Sequence, residues 1–285
     1  MKKTGKLLTR SLLTLAIAGL GLALTPRTAS ADFVNFTVNE AVVPGSLPTT
    51  FTANKLSGAY SETLTLTPST PLTGTFTSNA LATFTGYFVG GVNCGSGANP
   101  CGGVPLPSQI SASSSPTTYD IIATLTASGG YALNGGVFGS NPACTVGLCF
   151  YGTSGLATMY LDPLQNQIII PGDQILSSNT LLPGSGGQTN NITLPSTGNF
   201  NLNFGNIVLT ALGASYWPTL NSVFLSSTVN GDFDAVGNVL GPQTLSGDVS
   251  AQFAVPEPGT LTLLGFGLSG LAAKVRRKRQ LKTLA

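Results

Sequence analysis

The chain has 285 residues, with 12 Lys+Arg, 10 Asp+Glu and no His, for a formal net charge of +2. Without His it lacks the commonest general base, the Ser–His nucleophile pair and any imidazole metal ligand. Five cations lie before Ala31 and six after Ala273, so residues 32–254 keep Lys55 alone against nine acids, a net charge of −8, which excludes the basic patch that nucleic acid requires.

Lys2, Lys3, Lys6 and Arg10 open the chain, Leu12 to Leu24 is apolar, and Ala29-Ser30-Ala31 has the small-x-small pattern of a secretory cleavage site. The pattern predicts a signal helix over 1–31. Signal peptidase would cut it after Ala31, leaving Asp32 as the mature start.

The body, 32–254, shows the period of strands. Ser61 to Thr67 alternates strictly, and Leu202-Asn203-Phe204 alternates into Ile207-Val208-Leu209. Thr75–Thr77, Ala82–Thr85, Tyr119–Thr126, Leu156–Leu161, Gln167–Ile170, Ser222–Val229 and Gly247–Phe253 also read as strands. Thr and Asn fill the outward positions. Turn signals stand between them, including Gly129-Gly130, Asn134-Gly135-Gly136 and Pro171-Gly172-Asp173. Asn230-Gly231 predicts a hairpin. No stretch carries a helical stripe. The expectation is one all-β domain, an antiparallel β-sandwich with a jelly roll as a variant. An outer-membrane barrel is the competing all-β reading, against which stand short strands and missing aromatic girdles.

Six residues separate Cys94 from Cys101, and four separate Cys144 from Cys149. In an oxidising compartment two disulfides are expected. Three pairings exist, and the local ones are favoured. No cofactor or metal is expected. Asp232, Asp234 and Asn238 after Gly231 form the candidate calcium corner, although residues two apart on a strand share one solvent face. Asp162-Pro163 and Gly172-Asp173 read as turn residues. Tyr216-Trp217 beside Pro218 offers aromatic faces of the kind that hold sugars, against the simpler reading of core packing.

The end of the chain, 255–285, has three parts. Val255-Pro256-Glu257-Pro258 comes first, and its two prolines hold Glu257 extended. An uncharged apolar run follows, with Leu261, Leu263, Leu264, Phe266, Leu268 and Leu271, predicting a short membrane helix. Lys274, Arg276, Arg277, Lys278 and Arg279 form a basic stop that stays on the cytoplasmic side.

This tripartite tail resembles the PEP-CTERM sorting signal of Gram-negative bacteria. The resemblance implies recognition by an exosortase, a membrane peptidase that cuts near the motif after the tail has paused in the inner membrane. It also implies release to the cell surface or extracellular matrix. The segment 32–67, with Phe36 to Glu40, Val43-Pro44-Gly45 and Phe51 to Gly58, resembles the opening of flocculation-associated PEP-CTERM proteins. That second resemblance implies a structural protein promoting cell aggregation, in flocs or biofilm, within exopolysaccharide. A secreted carbohydrate-binding, lectin-like module is the alternative, and an enzyme is not expected.

Overall fold

Alternating apolar and hydroxyl side chains build the strands. The computed structural model describes residues 32–95, 101–102, 108–111, 118–166, 168–183, 185–190, 196–220, 226–236 and 241–255. The strands are β1 (Asp32–Phe33), β2 (Phe36–Asn39), β3 (Thr50–Ala53), β4 (Lys55–Pro68), β5 (Thr73–Val89), β6 (Val92–Asn93), β7 (Asp120–Leu133), β8 (Leu148–Asp162), β9 (Gln174–Leu181), β10 (Gly186–Thr189), β11 (Ser196–Leu209), β12 (Ser226–Val236) and β13 (Gly241–Val255). One short helix, α1 (Ala211–Tyr216), lies between β11 and β12. Residues 33–255 form one compact unit.

The expected sandwich of two facing sheets is corrected by the pairing. β4, β5, β7 and β8 pair in sequence order, and so do β11, β12 and β13, all antiparallel. β9 and β10 each bridge β8 and β11, sharing one place in the ring. β13 then pairs with β4 from Gly241↔Leu66 to Ala251↔Leu56. The sheet closes on itself as an up-and-down barrel, which leaves the ring without free edges.

The pleat decides what the wall shows. Leu56, Tyr60, Leu64 and Leu66 of β4, Phe76 and Phe84 of β5, and Leu245, Val249 and Phe253 of β13 are buried. Ser61, Thr63 and Thr67, then Thr75, Thr77 and Asn79, then Thr244, Ser246 and Asp248 are exposed. An outer-membrane barrel has the reverse alternation, with an apolar band outside. Among the described residues no helix is long and apolar enough to cross a membrane. The signal helix and membrane helix expected from the sequence lie outside those residues.

Three local expectations are corrected. Asn230-Gly231 makes no hairpin; both residues sit inside β12, opposite Ser250 and Val249. Glycine is required there because a Cβ at Gly231 would lie 2.1 Å from the Asp248 carbonyl oxygen. Gly129-Gly130 is an irregularity within β7, where the register with β8 shifts, and not a turn. Ile168 to Ile170 form no strand, because the Ile170 N–H donates to Asp173 Oδ2 at 2.8 Å and closes a turn before β9.

α1 and the β2–β3 hairpin pack at the end of the barrel where β13 finishes. Thr210 caps α1, its Oγ1 accepting from the Gly213 N–H at 3.0 Å. Toward the opposite end, a cavity of about 70 Å³ remains in the lumen among Glu62, Ser78, Phe76, Phe150 and Phe200.

Candidate functional site: the sorting segment and its exit from the barrel

The sorting segment leaves directly from a barrel strand. Phe253 is fully buried, edge-on to Phe36 at 5.1 Å and to Trp217 at 5.4 Å between ring centroids. Ala254 is paired with Ser226 of β12, and the Val34 N–H donates to the Phe253 carbonyl at 3.0 Å. β1 also pairs with β13. The last strand is therefore held on both sides until Val255, so the body has no slack before Pro256.

Several residues expected to function lie outside the described residues. They are Ala29 and Ala31, then Pro256, Glu257 and Pro258, then Leu261, Leu263, Leu264, Phe266, Leu268 and Leu271, and finally Lys274, Arg276, Arg277, Lys278 and Arg279. Val255 ends β13, and Asp32 begins β1.

A strand held to its last residue, followed by two prolines, an apolar run and a basic cluster, defines a C-terminal protein-sorting signal. Residues 254–278 match the family model of the PEP-CTERM protein-sorting motif. That motif implies an exported protein sorted by an exosortase, consistent with a cell-surface or extracellular location. No curated protein and no solved structure matches the chain.

The cysteines pair locally, as Cys94–Cys101 and Cys144–Cys149. The first loop is tied to the barrel end, with the Cys94 N–H donating to the Tyr87 carbonyl and the Cys101 carbonyl accepting from the Thr52 N–H. At the candidate calcium corner, Asp232 is exposed and its Oδ1 accepts from the Asp248 N–H at 2.9 Å. Asp234 lies within β12, and Asn238 lies outside the described residues. Tyr216 and Trp217 are fully buried, so neither presents a face to a sugar.

Sequence reasoning missed a buried polar chain behind this exit. Trp217 Nε1 donates to the Tyr87 hydroxyl at 3.1 Å, and Tyr87 donates to the Tyr216 hydroxyl at 3.1 Å. The Tyr216 and Tyr119 hydroxyls are bonded to each other, and Tyr119 donates to Glu40 Oε1 at 2.8 Å. Indole N–H can only donate, so each hydroxyl proton passes its direction along the chain to Glu40. Glu40 also accepts from Ser108 Oγ at 2.9 Å and from the Gln109 N–H. It is fully enclosed, and burial pushes its carboxyl up to about 7 despite these hydrogen bonds. Burial likewise raises Tyr119 and Tyr216 well above the usual phenol range. The signal in the sequence was the period: Glu40 follows Phe36 and Val38 on the buried side of β2. Glu62 is similar. It shares the inward face with Leu64, and burial raises its carboxyl while the Ser78 hydroxyl pulls it back.

A pH dependence follows from Glu40. Its folded form holds a proton more tightly than an unfolded glutamate, so its contribution is complete below about pH 4.5 and is lost as the pH rises through about 7. Calorimetry of the exported protein should show the thermal midpoint falling across that window. The fall should be smaller in Glu40→Gln, which has no charge to expel. Equal slopes in the two proteins would contradict this account.

Proposed function

We propose that the mature protein is a structural component of the cell surface or extracellular matrix that promotes cell aggregation with exopolysaccharide. It pauses in the inner membrane as a precursor and acts without enzymatic activity. The observation that carries this reading is the outer wall of the barrel. Thr65, Thr77, Ser128 and Ser154 are successive partners across four strands, with Ser128 and Ser154 hydroxyls 2.8 Å apart. Thr63, Asn79 and Thr126 form the next row. Rows of uncharged hydroxyls and amides suit contact with a hydrated polymer, because they give and take hydrogen bonds without releasing counterions. The body's lack of His and Arg supports a non-catalytic role. The lectin-like alternative loses its main support with the burial of Trp217.

The test is deletion of the gene, scored by floc size, biofilm mass and retained polysaccharide. All three should fall and return with the complete gene. A deletion strain that aggregates and retains polysaccharide normally would reject the proposal.

A further inference from the structure

The end of the barrel that releases the sorting segment also turns apolar side chains outward. β13, β11 and β8 run in one direction, because β12 stands between the first two and β9 between the last two, every pair being antiparallel. The β8–β9 loop, 163–173, therefore opens at the end where β13 finishes at Val255. In that loop Leu164 is 67% exposed, Ile168 57% and Ile169 40%. Ile175 at the start of β9 and Val208 near the end of β11 are exposed beside it.

The polar groups of the loop are spent on backbone. Asp162 Oδ1 accepts from the Leu164 N–H at 3.0 Å, Asn166 Oδ1 from the Ile168 N–H at 3.0 Å, and Asp173 Oδ2 from the Ile170 N–H at 2.8 Å. Gln165 Nε2 donates to the Ser111 carbonyl at 2.9 Å. The loop is thus held with leucine and isoleucine facing out, the reverse of the Thr and Ser that cover the wall. A grouped apolar surface of this kind marks a contact with a partner or a membrane.

Charge divides the same way. Lys55, the one cation of residues 32–254, opens β4 at this end. Glu40, Asp120 and Asp162 at this end are enclosed, and Asp173 is half-buried with its Oδ1 enclosed. Exposed Asp232 and Asp248 lie back along the wall; Asp248 is seven residues before Val255, about 23 Å at 3.3 Å per residue.

The chain beyond Val255 says what covers this surface. Residues 256–260 separate Val255 from the apolar run that begins at Leu261. Fully extended, that link reaches roughly 20 Å. In a precursor paused in the inner membrane, this end of the barrel stays within that distance of the bilayer. We propose that Leu164, Ile168 and Ile169 seat the barrel on the bilayer surface while the tail awaits cutting, an inference that rests on the membrane-paused precursor of the proposed function. The tail makes this second contact intramolecular, so shallow insertion of a few apolar side chains suffices. Cutting removes the tether, and a body of net charge −8 with so small an apolar contact then leaves the membrane.

Lipid quenching tests the contact. All four cysteines are paired, so Leu164→Cys adds the single free thiol. Full-length precursor labelled there with an NBD fluorophore is reconstituted in phosphatidylcholine vesicles containing nitroxide-labelled lipid. The label should be quenched. The same label on Val137→Cys, at an exposed residue of the opposite end, should not be. Adding Ile168→Asn and Ile169→Asn should remove most of the quenching at 164 while the precursor still floats with the vesicles. Exported protein labelled at 164, without its tail, should lose the quenching too. An unquenched 164 label on precursor that floats with the vesicles overturns the proposal and leaves the precursor reading standing. If Ile168→Asn with Ile169→Asn then still slows cutting in cells, the loop meets the peptidase instead of lipid. Equal quenching at 164 and 137 also overturns the proposal. Precursor that does not float overturns the precursor reading, and the proposal with it.

Discussion

Trp217→Ala is expected to destabilise the exported protein by about 4 kcal/mol, near the top of the range for a single core truncation. Trp217 is fully buried against Tyr216 at 5.1 Å and Phe253 at 5.4 Å, both edge-on. Its removal opens a cavity that the closed ring cannot collapse to fill, and each lost aromatic pair adds roughly 0.5–1.5 kcal/mol beyond buried area. The change also leaves the Tyr87 hydroxyl with one donor fewer, at the head of the chain that ends on Glu40. Trp217→Phe separates the two effects: it keeps most of the volume but drops the N–H, so it should cost about 1–2 kcal/mol. Urea unfolding followed by far-ultraviolet circular dichroism measures both, since Trp217 is the chain's single tryptophan and its fluorescence disappears with it. A Trp217→Ala protein of unchanged stability but weakened sugar binding would restore the exposed aromatic platform that the structure removes.

Strand content was legible because the barrel wall writes a period of two into β4, β5 and β13. Closure was not. The β4–β13 ladder joins residues 56–66 to 241–251, and no local pattern records that two distant strands will meet. Gly231 shows a related limit, since a glycine needed for close approach looks the same in sequence as one needed for a turn. Asp162 and Asp173 do sit at turn-like positions and accept local N–H groups, which fits the turn reading. Only the register of β7 against β8 shows that Asp120 faces Asp162. Glu40 and Tyr119 are likewise far apart in the chain and adjacent in the fold. The sorting motif was legible because its residues are consecutive, so no tertiary contact is needed to read it.

Replacing Pro256 and Pro258 together with Ala should abolish processing and leave full-length precursor in the membrane fraction. The reason begins at the barrel. β13 stays paired through Ala254, and Val255 ends the strand. Pro256 has no N–H to give to a ladder, so pairing stops there. Pro258 biases Glu257 toward an extended backbone. From Pro258 to Ala273 the run holds about 16 residues without charge, roughly 24 Å as a helix. On the proposed reading such a run would stop in the bilayer, and Arg276, Arg277, Lys278 and Arg279 would oppose further passage at about 3 kcal/mol each at its centre. A peptidase at the membrane surface would then meet the chain at Pro256-Glu257-Pro258, where the two prolines disfavour helix. With alanine at both positions, helix can grow back through Glu257 to the end of β13, and the extended segment is lost. Changing the four basic residues to Gln tests the other part, because it should loosen retention while leaving the cleavable segment intact. Mass spectrometry of the exported form decides the matter. A C-terminus close to Pro256-Glu257-Pro258 is the expected result, and protein outside the cell still carrying Ala285 would show that the tail is not cut.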